Sequence, residues 1–224
     1  TTGGAANVLS KLEDYLQTEW PELDVYLTSV TDHYATISVC GPNSRNIVST
    51  IIDDLDFSDE NFPHMSFKNA KIGKINCRVM RISFTGELSY EINIQANYAK
   101  SVWEKCIEAG KDFNITPYGT ETMHLLRAEK GFIIVGQDTD GTMTPIDLQM
   151  DWIVSKKKYD YIGKRSLYRS DTIREDRKQL VGLLTENPDD VLEEGAQIVA
   201  NINKTPIEML GHVTSSYYSP NLKK

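Results

Sequence analysis

The sequence predicts an α+β fold. Four stretches before residue 130 carry apolar residues at helical spacing, and β-branched and aromatic residues between them alternate with polar ones as in strands. After residue 178 only strand-like stretches follow. We therefore expect helices and a sheet in residues 1–172 and a separate all-β piece in residues 173–224, with the boundary in the charged run 174–178.

The first elements are a helix, two strands and a second helix. Apolar spacing predicts a helix over residues 5–19, which ends before Pro21 because proline cannot continue it. Residues 25–28 and 34–39 are rich in β-branched and aromatic residues and are predicted to pair as strands. A helix through residues 42–52 follows, with the proline suited to its first turn.

The middle of the chain predicts a hairpin followed by two helices. Residues 53–61 hold five acidic residues among nine and are expected to form a solvated loop. Alternating apolar residues over 75–84 and 90–94 predict a hairpin with a bulge near Val79, and its turn carries Glu87. Two helices are then predicted, over residues 102–110 and 120–129, the second capped by a left-handed Gly131.

The last part of the chain has weaker patterns. Residues 136–147 are predicted to form a long polar loop. A strand is expected over 152–154, a short helix over 164–169, and strands over 180–184, 196–199 and 209–215.

Composition excludes several classes of protein. The 224 residues are 40% hydrophobic, which is enough for a core, and the formal charge of −8 argues against a dominant nucleic-acid surface. No apolar run approaches the roughly 20 residues that cross a bilayer, so we expect a soluble, cytoplasmic protein. Three scattered cysteines without a C-x-x-C spacing predict buried, reduced thiols rather than disulfides or a zinc site. Neither a P-loop nor a G-x-G-x-x-G motif occurs.

Three charged residues are candidates for binding a small ligand with a flat, hydrogen-bonding head. Glu87 lies on the predicted turn, and Arg127 and Glu129 lie at the end of a predicted helix. Each also has a simpler interpretation, since a turn carboxylate is most often solvated and the helix-end pair could be two surface charges. The run 156–158 of three lysines could attract an anionic ligand tail or form a solvated loop.

Several blocks of the sequence together resemble the glycine cleavage T-protein (aminomethyltransferase) superfamily. The blocks, in order, are SFTGELSYEI at 83–92, TPYG at 116–119, LRAEKG at 126–131 and GHVTS at 211–215. Within that superfamily the chain is similar to the C-terminal half of the alpha subunits of heterotetrameric sarcosine oxidases, through the stretches 120–131, 135–141, 155–158 and 162–167. The resemblance implies a T-protein-like mixed sheet with helices, followed by part of a small β-barrel.

The resemblance also implies a tetrahydrofolate site. In the resembled oxidases, sarcosine is oxidised at a flavin in the beta subunit, and the imine reacts with tetrahydrofolate to give 5,10-methylenetetrahydrofolate. By motif position Glu87 matches the pterin-contacting Glu, Arg127 the Arg that engages folate, and Glu129 a supporting acid. Flavin and NAD are expected elsewhere in the complex, and the other oxidase subunits, including the flavin-bearing beta subunit, are the expected partners.

The chain departs from the family pattern in three places. The family's catalytic Asp lies in an N-terminal segment outside these residues, the barrel stops at Lys224, and Val135 stands where T-proteins usually carry Tyr. We therefore expect a piece of a longer polypeptide that is inactive in oxidation on its own and contributes no catalytic residue. Two alternatives remain open: a free-standing aminomethyltransferase or folate-dependent demethylase, and a non-catalytic folate-binding regulatory module.

Overall fold

The computed structural model of the chain describes residues 2–224, which form two compact units that divide between Pro117 and Tyr118. The first unit contains α1 (Ala5–Thr18), β1 (Tyr34–Cys40), α2 (Ser44–Ile51), β2 (Phe67–Ile72), β3 (Ile75–Met80), β4 (Ser89–Gln95) and α3 (Ala99–Ala109). The second contains α4 (Thr120–Glu129), β5 (Gln197–Val199) and β6 (Met209–His212). Short 3-10 helices cover Thr2–Gly4, Ala96–Tyr98, Lys111–Phe113, Asp151–Ile153 and Lys164–Tyr168.

The first unit is built on a four-stranded sheet in the order β1-β4-β3-β2. All three strand pairs are antiparallel, so the α+β class is confirmed while the expectation of a mixed sheet is wrong for this sheet. The reason lies in the connections. β2 and β3 are joined by the two residues Gly73 and Lys74, and a parallel pair would need a crossover of a dozen or more residues.

The core of the first unit lies on one face of this sheet. Tyr90, Ile92 and Ile94 of β4 are fully buried, and α2 and α3 cover them with the fully buried Val48 and Val102. The alternate residues of β4 point to the other face, because successive side chains of a strand alternate. An aromatic cluster seals one end of this core, where the rings of Phe57 and Phe62 lie 5.3 and 5.8 Å from Tyr90.

Two strand predictions in the first unit are wrong, and one strand was missed. Residues 25–28 are irregular and do not pair with β1. β1 pairs instead with β4, whose three fully buried side chains offer β1 more apolar surface than residues 25–28 would. The predicted bulge near Val79 is absent, since β3 ends at Met80 and residues 81–88 form a loop. β2 was not predicted because Lys68 and Lys71 give it the charged pattern of an edge strand.

The helix predictions hold closely. α1, α3 and α4 begin and end within a few residues of the predicted bounds, and Gly131 has a φ of +72° in the left-handed region. The end of α4 is a Schellman motif, in which the Phe132 amide donates to the Arg127 carbonyl at 2.9 Å and the Gly131 amide to that of Ala128 at 3.0 Å. This motif sets the direction in which the chain leaves α4.

Replacing Gly110 by Ala will destabilise the first unit by about 1–3 kcal/mol, the usual cost of overpacking. Gly110 is buried at the end of α3, and a Cβ atom there would lie 2.5 Å from Cβ of Ile115. Urea unfolding measures the loss. Gly182→Ala is the matched control, because a Cβ atom there meets nothing within 4 Å. Equal stability of the two variants would contradict the prediction.

The second unit has little regular strand structure in the described residues. β5 and β6 form a two-stranded antiparallel sheet, as the patterns at 196–199 and 209–215 predicted. The predicted strand at 180–184 is irregular, because no neighbouring strand pairs with it and Val181, Leu183 and Leu184 stay exposed. The predicted strand at 152–154 is a 3-10 turn, and the predicted short helix at 164–169 is a 3-10 helix over Lys164–Tyr168.

An ion pair between the partly exposed Arg177 and the buried Asp147 holds the second unit together between residues 142 and 177. Arg177 donates two hydrogen bonds to Asp147, from Nε at 2.8 Å and from a terminal nitrogen at 2.6 Å, and a third to the Thr142 carbonyl at 2.8 Å. Asp147 also accepts from the amide and the hydroxyl of Thr144. The pair therefore joins the polar loop to the charged run 174–178. The predicted domain boundary at residues 172 and 173 stays a prediction, and residue 1 lies outside the described residues.

The predicted burial of the cysteines is confirmed for two of the three and is wrong for Cys40. Cys77 and Cys106 are buried, Cys40 is partly exposed, and all three are free thiols. Burial raises the pKa of Cys77 and of Cys106 to about 11, so both stay protonated at neutral pH. No helix within residues 2–224 is long and apolar enough to cross a membrane.

Candidate functional site

Glu87, the predicted ligand-binding carboxylate of the first unit, lies in the loop 81–88 between β3 and β4. Both ends of this loop are tied down. At its start, Arg81 donates to the Phe62 carbonyl at 2.8 Å and pairs with Asp59 at 2.6 Å. At its end, the Leu88 carbonyl accepts from the Gly41 amide at 2.8 Å and the Ser44 hydroxyl at 3.0 Å. The loop thus presents Glu87, which is partly buried, from a held backbone.

The turn before Glu87 requires a glycine. Gly86 has a φ of +78°, in the left-handed region that residues with a Cβ atom rarely adopt. Thr85 beside it is buried, so the loop turns on a packed base and not in open solvent.

A second carboxylate, Glu91, lies in the middle of β4 on the face opposite the core. Its neighbours across the sheet are Ser38 of β1 and Met80 of β3. The side chain is partly buried, and within residues 2–224 it has no hydrogen-bond or ion-pair partner. Burial raises the pKa of Glu91 because a desolvated carboxylate is less stable when charged. Glu91 is therefore a carboxylate whose acceptor capacity is unused.

Glu91 was not predicted as a site residue, although its position in the sequence indicates an unusual carboxylate. It stands between the apolar Tyr90 and Ile92, and charged residues are depleted in the interior of strands. A Glu at the centre of a four-stranded sheet is costly to desolvate unless a partner or a ligand compensates it. Glu87 was predicted instead, because it lies on the turn and matches the family's pterin-contacting Glu by motif position.

The start of β4 is fixed from the core side. Arg45 of α2 donates to the Tyr90 hydroxyl at 3.2 Å and to Asp59 at 2.5 Å. Hydrogen bonds from Arg45 and then Arg81 hold the pKa of Asp59 below its usual value. The same acidic side chain therefore serves both α2 and the loop that carries Glu87.

Arg127, the predicted folate-engaging residue of the second unit, is buried, with 2% of its surface exposed. One terminal nitrogen donates to Asp138 at 2.5 Å and to the Phe132 carbonyl at 3.0 Å, and the other to the Ser215 hydroxyl at 2.6 Å. The guanidinium also lies 5.8 Å from the centre of the Tyr217 ring. Its Nε atom has no partner among the described residues.

Asp138 is the centre of this network. One carboxylate oxygen accepts from Arg127 and from the Ile134 amide at 2.8 Å, and the other from the hydroxyls of Thr214 at 2.6 Å and Ser215 at 2.7 Å. Burial by itself raises the pKa of Asp138. The hydrogen bonds and the charge of Arg127 outweigh burial, so the pKa lies below its usual value and the carboxylate stays charged.

Glu129, the third predicted residue, also contacts the end of the chain. Its carboxylate accepts a short hydrogen bond from the Ser219 hydroxyl and two from the Asn221 amide nitrogen at 3.2 and 3.3 Å. Ser219 is buried. Arg127 and Glu129 therefore both tie the last turn of α4 to residues 214–221, about 90 residues further along the chain.

The structure thus gives each predicted residue a defined environment. Arg127 and Glu129 share the second unit, while Glu87 and Glu91 belong to the first. Sequence reasoning missed Asp138 and Ser215 as partners of Arg127, because the pairing joins residues 11 and 88 positions apart. The available signal was indirect: both lie in stretches that carry the family resemblance.

The fold and the sequence of this chain match those of a known protein family. The family model for the GCVT N-terminal domain matches residues 1–158, and the model for the glycine cleavage T-protein C-terminal barrel domain matches residues 178–224. The chain belongs to the glycine cleavage T-protein family, as its sequence blocks indicated. The T-protein-like fold with part of a C-terminal barrel is thereby confirmed.

Among its relatives the chain is similar to sarcosine oxidase alpha subunits. It is 56% identical to the "Sarcosine oxidase subunit alpha" of Corynebacterium sp. (strain P-1), with 99% of this chain and 23% of that protein covered, and 40% identical to that of Rhizobium meliloti (strain 1021), with the same coverage. It is 31% identical to the "Aminomethyltransferase" of Thermoanaerobacter sp. (strain X514), over 90% of this chain and 52% of that protein. The predicted resemblance to the oxidase subunit is confirmed. The chain spans about a quarter of the length of these oxidase relatives.

Proposed function

We propose that this chain is the tetrahydrofolate-binding part of a sarcosine oxidase alpha subunit, which converts tetrahydrofolate and the imine from sarcosine oxidation to 5,10-methylenetetrahydrofolate. The similarity to oxidase alpha subunits is the broad support, since it exceeds the similarity to the aminomethyltransferase by 25 percentage points of identity. The oxidation itself, with its flavin and NAD, is assigned to other parts of the complex. The flavin-bearing beta subunit is the partner that supplies the imine.

The observation that carries this proposal is the unpartnered carboxylate of Glu91. A pterin ring presents adjacent N–H donors at one edge, and a carboxylate can accept both in a paired, charge-assisted hydrogen bond. Glu91 has two free acceptor oxygens in a partly desolvated position, where such a bond is stronger than in water. We therefore assign the pterin contact to Glu91 in the first place and retain Glu87 as the second candidate on the same strand-loop unit.

Arg127 and Glu129 have a supporting role in this proposal. Both terminal nitrogens of Arg127 are engaged by Asp138, Phe132 and Ser215, and Glu129 is engaged by Ser219 and Asn221. The two residues would hold the end of α4 and residues 214–221 together within the second unit.

Replacing Glu91 by Gln will weaken binding of 5-formyltetrahydrofolate by about 1.5–3 kcal/mol, the value of a hydrogen bond to a charged group, or roughly 10- to 150-fold in Kd. The measurement is a tryptophan-fluorescence titration at pH 8 on the intact polypeptide that contains this chain. Wild-type affinity should fall as the pH is lowered, because protonation of Glu91, whose pKa is raised, removes one acceptor.

Two control variants separate the possible outcomes. Glu108→Gln removes an exposed carboxylate of α3, which pairs with Lys111, and should leave Kd unchanged. Glu87→Gln tests the second candidate, and a loss there with none at Glu91 would reassign the contact. A wild-type protein that does not bind the folate at all would overturn the proposed function.

A second function is supported by the 31% identity to the aminomethyltransferase. Under that alternative the one-carbon unit arrives from an aminomethyl donor and no oxidation step is involved. The two are distinguished by assaying the intact polypeptide and its partners for sarcosine-dependent formation of methylenetetrahydrofolate. Folate binding without turnover of either donor would favour the non-catalytic binding module.

A further inference from the structure

Residues 152–169 form a basic and aromatic stretch within an acidic chain. This stretch, here named the basic aromatic segment, holds six Lys or Arg residues and a single Asp. The rest of the chain carries 18 basic residues against 31 acidic ones. The segment is therefore a local positive surface on a protein that is otherwise strongly negative.

The segment also exposes large apolar side chains. Trp152 is 74% exposed, Tyr159 94%, Ile162 71% and Tyr168 70%. Trp and Tyr are enriched among the residues that carry the binding energy of protein interfaces, because each can bury a large area at a small entropic cost. These four exposed large side chains lie within 17 residues, and a loop that only contacts solvent has no need of them.

The cations of the segment have no acidic partners, in contrast to their neighbours. Within residues 2–224 none of the six, Lys156, Lys157, Lys158, Lys164, Arg165 and Arg169, forms an ion pair. The next two arginines along the chain are neutralised, Arg174 by Asp171 and Asp176, and Arg177 by Asp147 and Asp171. These six cations without an ion pair thus lie in the same stretch as the exposed aromatic side chains.

Local contacts hold the backbone of the segment without burying these side chains. The Val154 amide donates to the Asp151 carbonyl at 3.1 Å, and the Thr172 hydroxyl to the Ser166 carbonyl at 2.7 Å. The ammonium of Lys164 donates to the Tyr159 carbonyl and lies 5.4 Å from the centre of the Tyr159 ring. A preorganised surface loses less entropy on binding than a flexible one, so this segment is suited to docking.

We propose that the basic aromatic segment is a docking surface for a protein partner whose contacting face is acidic around an apolar centre. Trp152, Tyr159 and Ile162 would be desolvated at the centre of the contact, and the lysines would steer and orient the acidic partner. Nucleic acid is disfavoured as the occupant. The aliphatic Ile153 and Ile162 have no flat face on which a base can stack, and the acidic remainder of the chain repels a phosphate backbone.

Lysine acetylation of the native material tests the proposal. The intact polypeptide is purified at low salt with whatever it binds and treated with an acetylating reagent, and each lysine is quantified by mass spectrometry. Lys156, Lys157, Lys158 and Lys164 should react at least fivefold more slowly than Lys100, an exposed lysine of α3, and 1 M NaCl should abolish the difference. Equal reactivity at low salt would overturn the proposal, whether or not a partner is present.

Charge reversal gives a second and independent test. The triple variant Lys156→Glu, Lys157→Glu, Lys158→Glu should weaken association with the co-purified partner at least tenfold at 50 mM NaCl, and by much less at 500 mM. The control triple Lys100→Glu, Lys105→Glu, Lys111→Glu makes the same change of charge on α3 and the 3-10 helix after it, and should leave association unchanged. Equal losses in both triples, or tight binding of a 20-nucleotide single-stranded DNA to the wild type, would overturn the assignment of a specific protein partner.

Discussion

Replacing Asp138 by Ala will lower the free energy of unfolding by about 3–5 kcal/mol, because it leaves the buried charge of Arg127 without its partner. Only 3% of each of the two side chains is exposed, so water cannot replace the lost carboxylate. The Ile134 amide and the hydroxyls of Thr214 and Ser215 lose their acceptor in the same change. Chemical denaturation followed by circular dichroism measures the loss.

The neighbouring Asp140→Ala provides the control for this prediction. Asp140 is exposed and accepts from the amide and the hydroxyl of Thr142, so its removal should cost much less stability than the removal of Asp138. The double variant Asp138→Leu, Arg127→Met should recover much of the stability that Asp138→Ala loses, since replacing both members of a buried pair removes the uncompensated charge. A loss at Asp138 no larger than that at Asp140 would show that the network contributes little.

Replacing Arg177 by Gln will lower the free energy of unfolding at pH 7, because Asp147 keeps its charge in a buried position and loses its partner. Only 4% of the Asp147 side chain is exposed. Hydrogen bonds from Arg177 lower the pKa of Asp147 to about 2 from an ordinary value of 3.8. The matched control is Arg174→Gln, three residues earlier, whose ion pairs are exposed and should contribute much less to stability.

The pH dependence of the Asp147 pair has a defined sign. The folded-state pKa lies below the unfolded value, so the stabilisation is fully present above about pH 4 and is lost as the pH falls through 2. Urea unfolding of wild type and Asp147→Asn at pH 6, 4 and 3 should therefore show a difference that shrinks as the pH falls. A difference that stays constant would contradict the assigned pKa.

The helices were predictable because their information is local. The apolar spacing of α1, α3 and α4 lies within single stretches of ten to fifteen residues, and Pro21, Gly110 and Gly131 mark their ends directly. Gly131 confirms the argument in detail, since its left-handed φ is the conformation that a residue with a Cβ atom avoids. The family, read from blocks of sequence in a fixed order, was likewise predictable.

The strands were predicted less well because a strand is stable only beside its neighbours. Residues 25–28 and 180–184 have strand-like composition and no partner in the described structure, so they stay irregular. β2 has an unpromising composition and forms because β3 follows it after a two-residue turn and pairs with it along its whole length. Composition alone does not specify which strand lies beside which.

The candidate site shows the same division. The sequence by itself determined the family, the helices and the short list Glu87, Arg127 and Glu129, because residue type and spacing along the chain carry that information. Only the tertiary structure decided that Glu91 is a desolvated carboxylate without a partner, and that Arg127 is buried against Asp138 and Ser215. Burial and pairing depend on which residues the fold brings together, and the partners of Arg127 come from 11 and 88 positions along the chain.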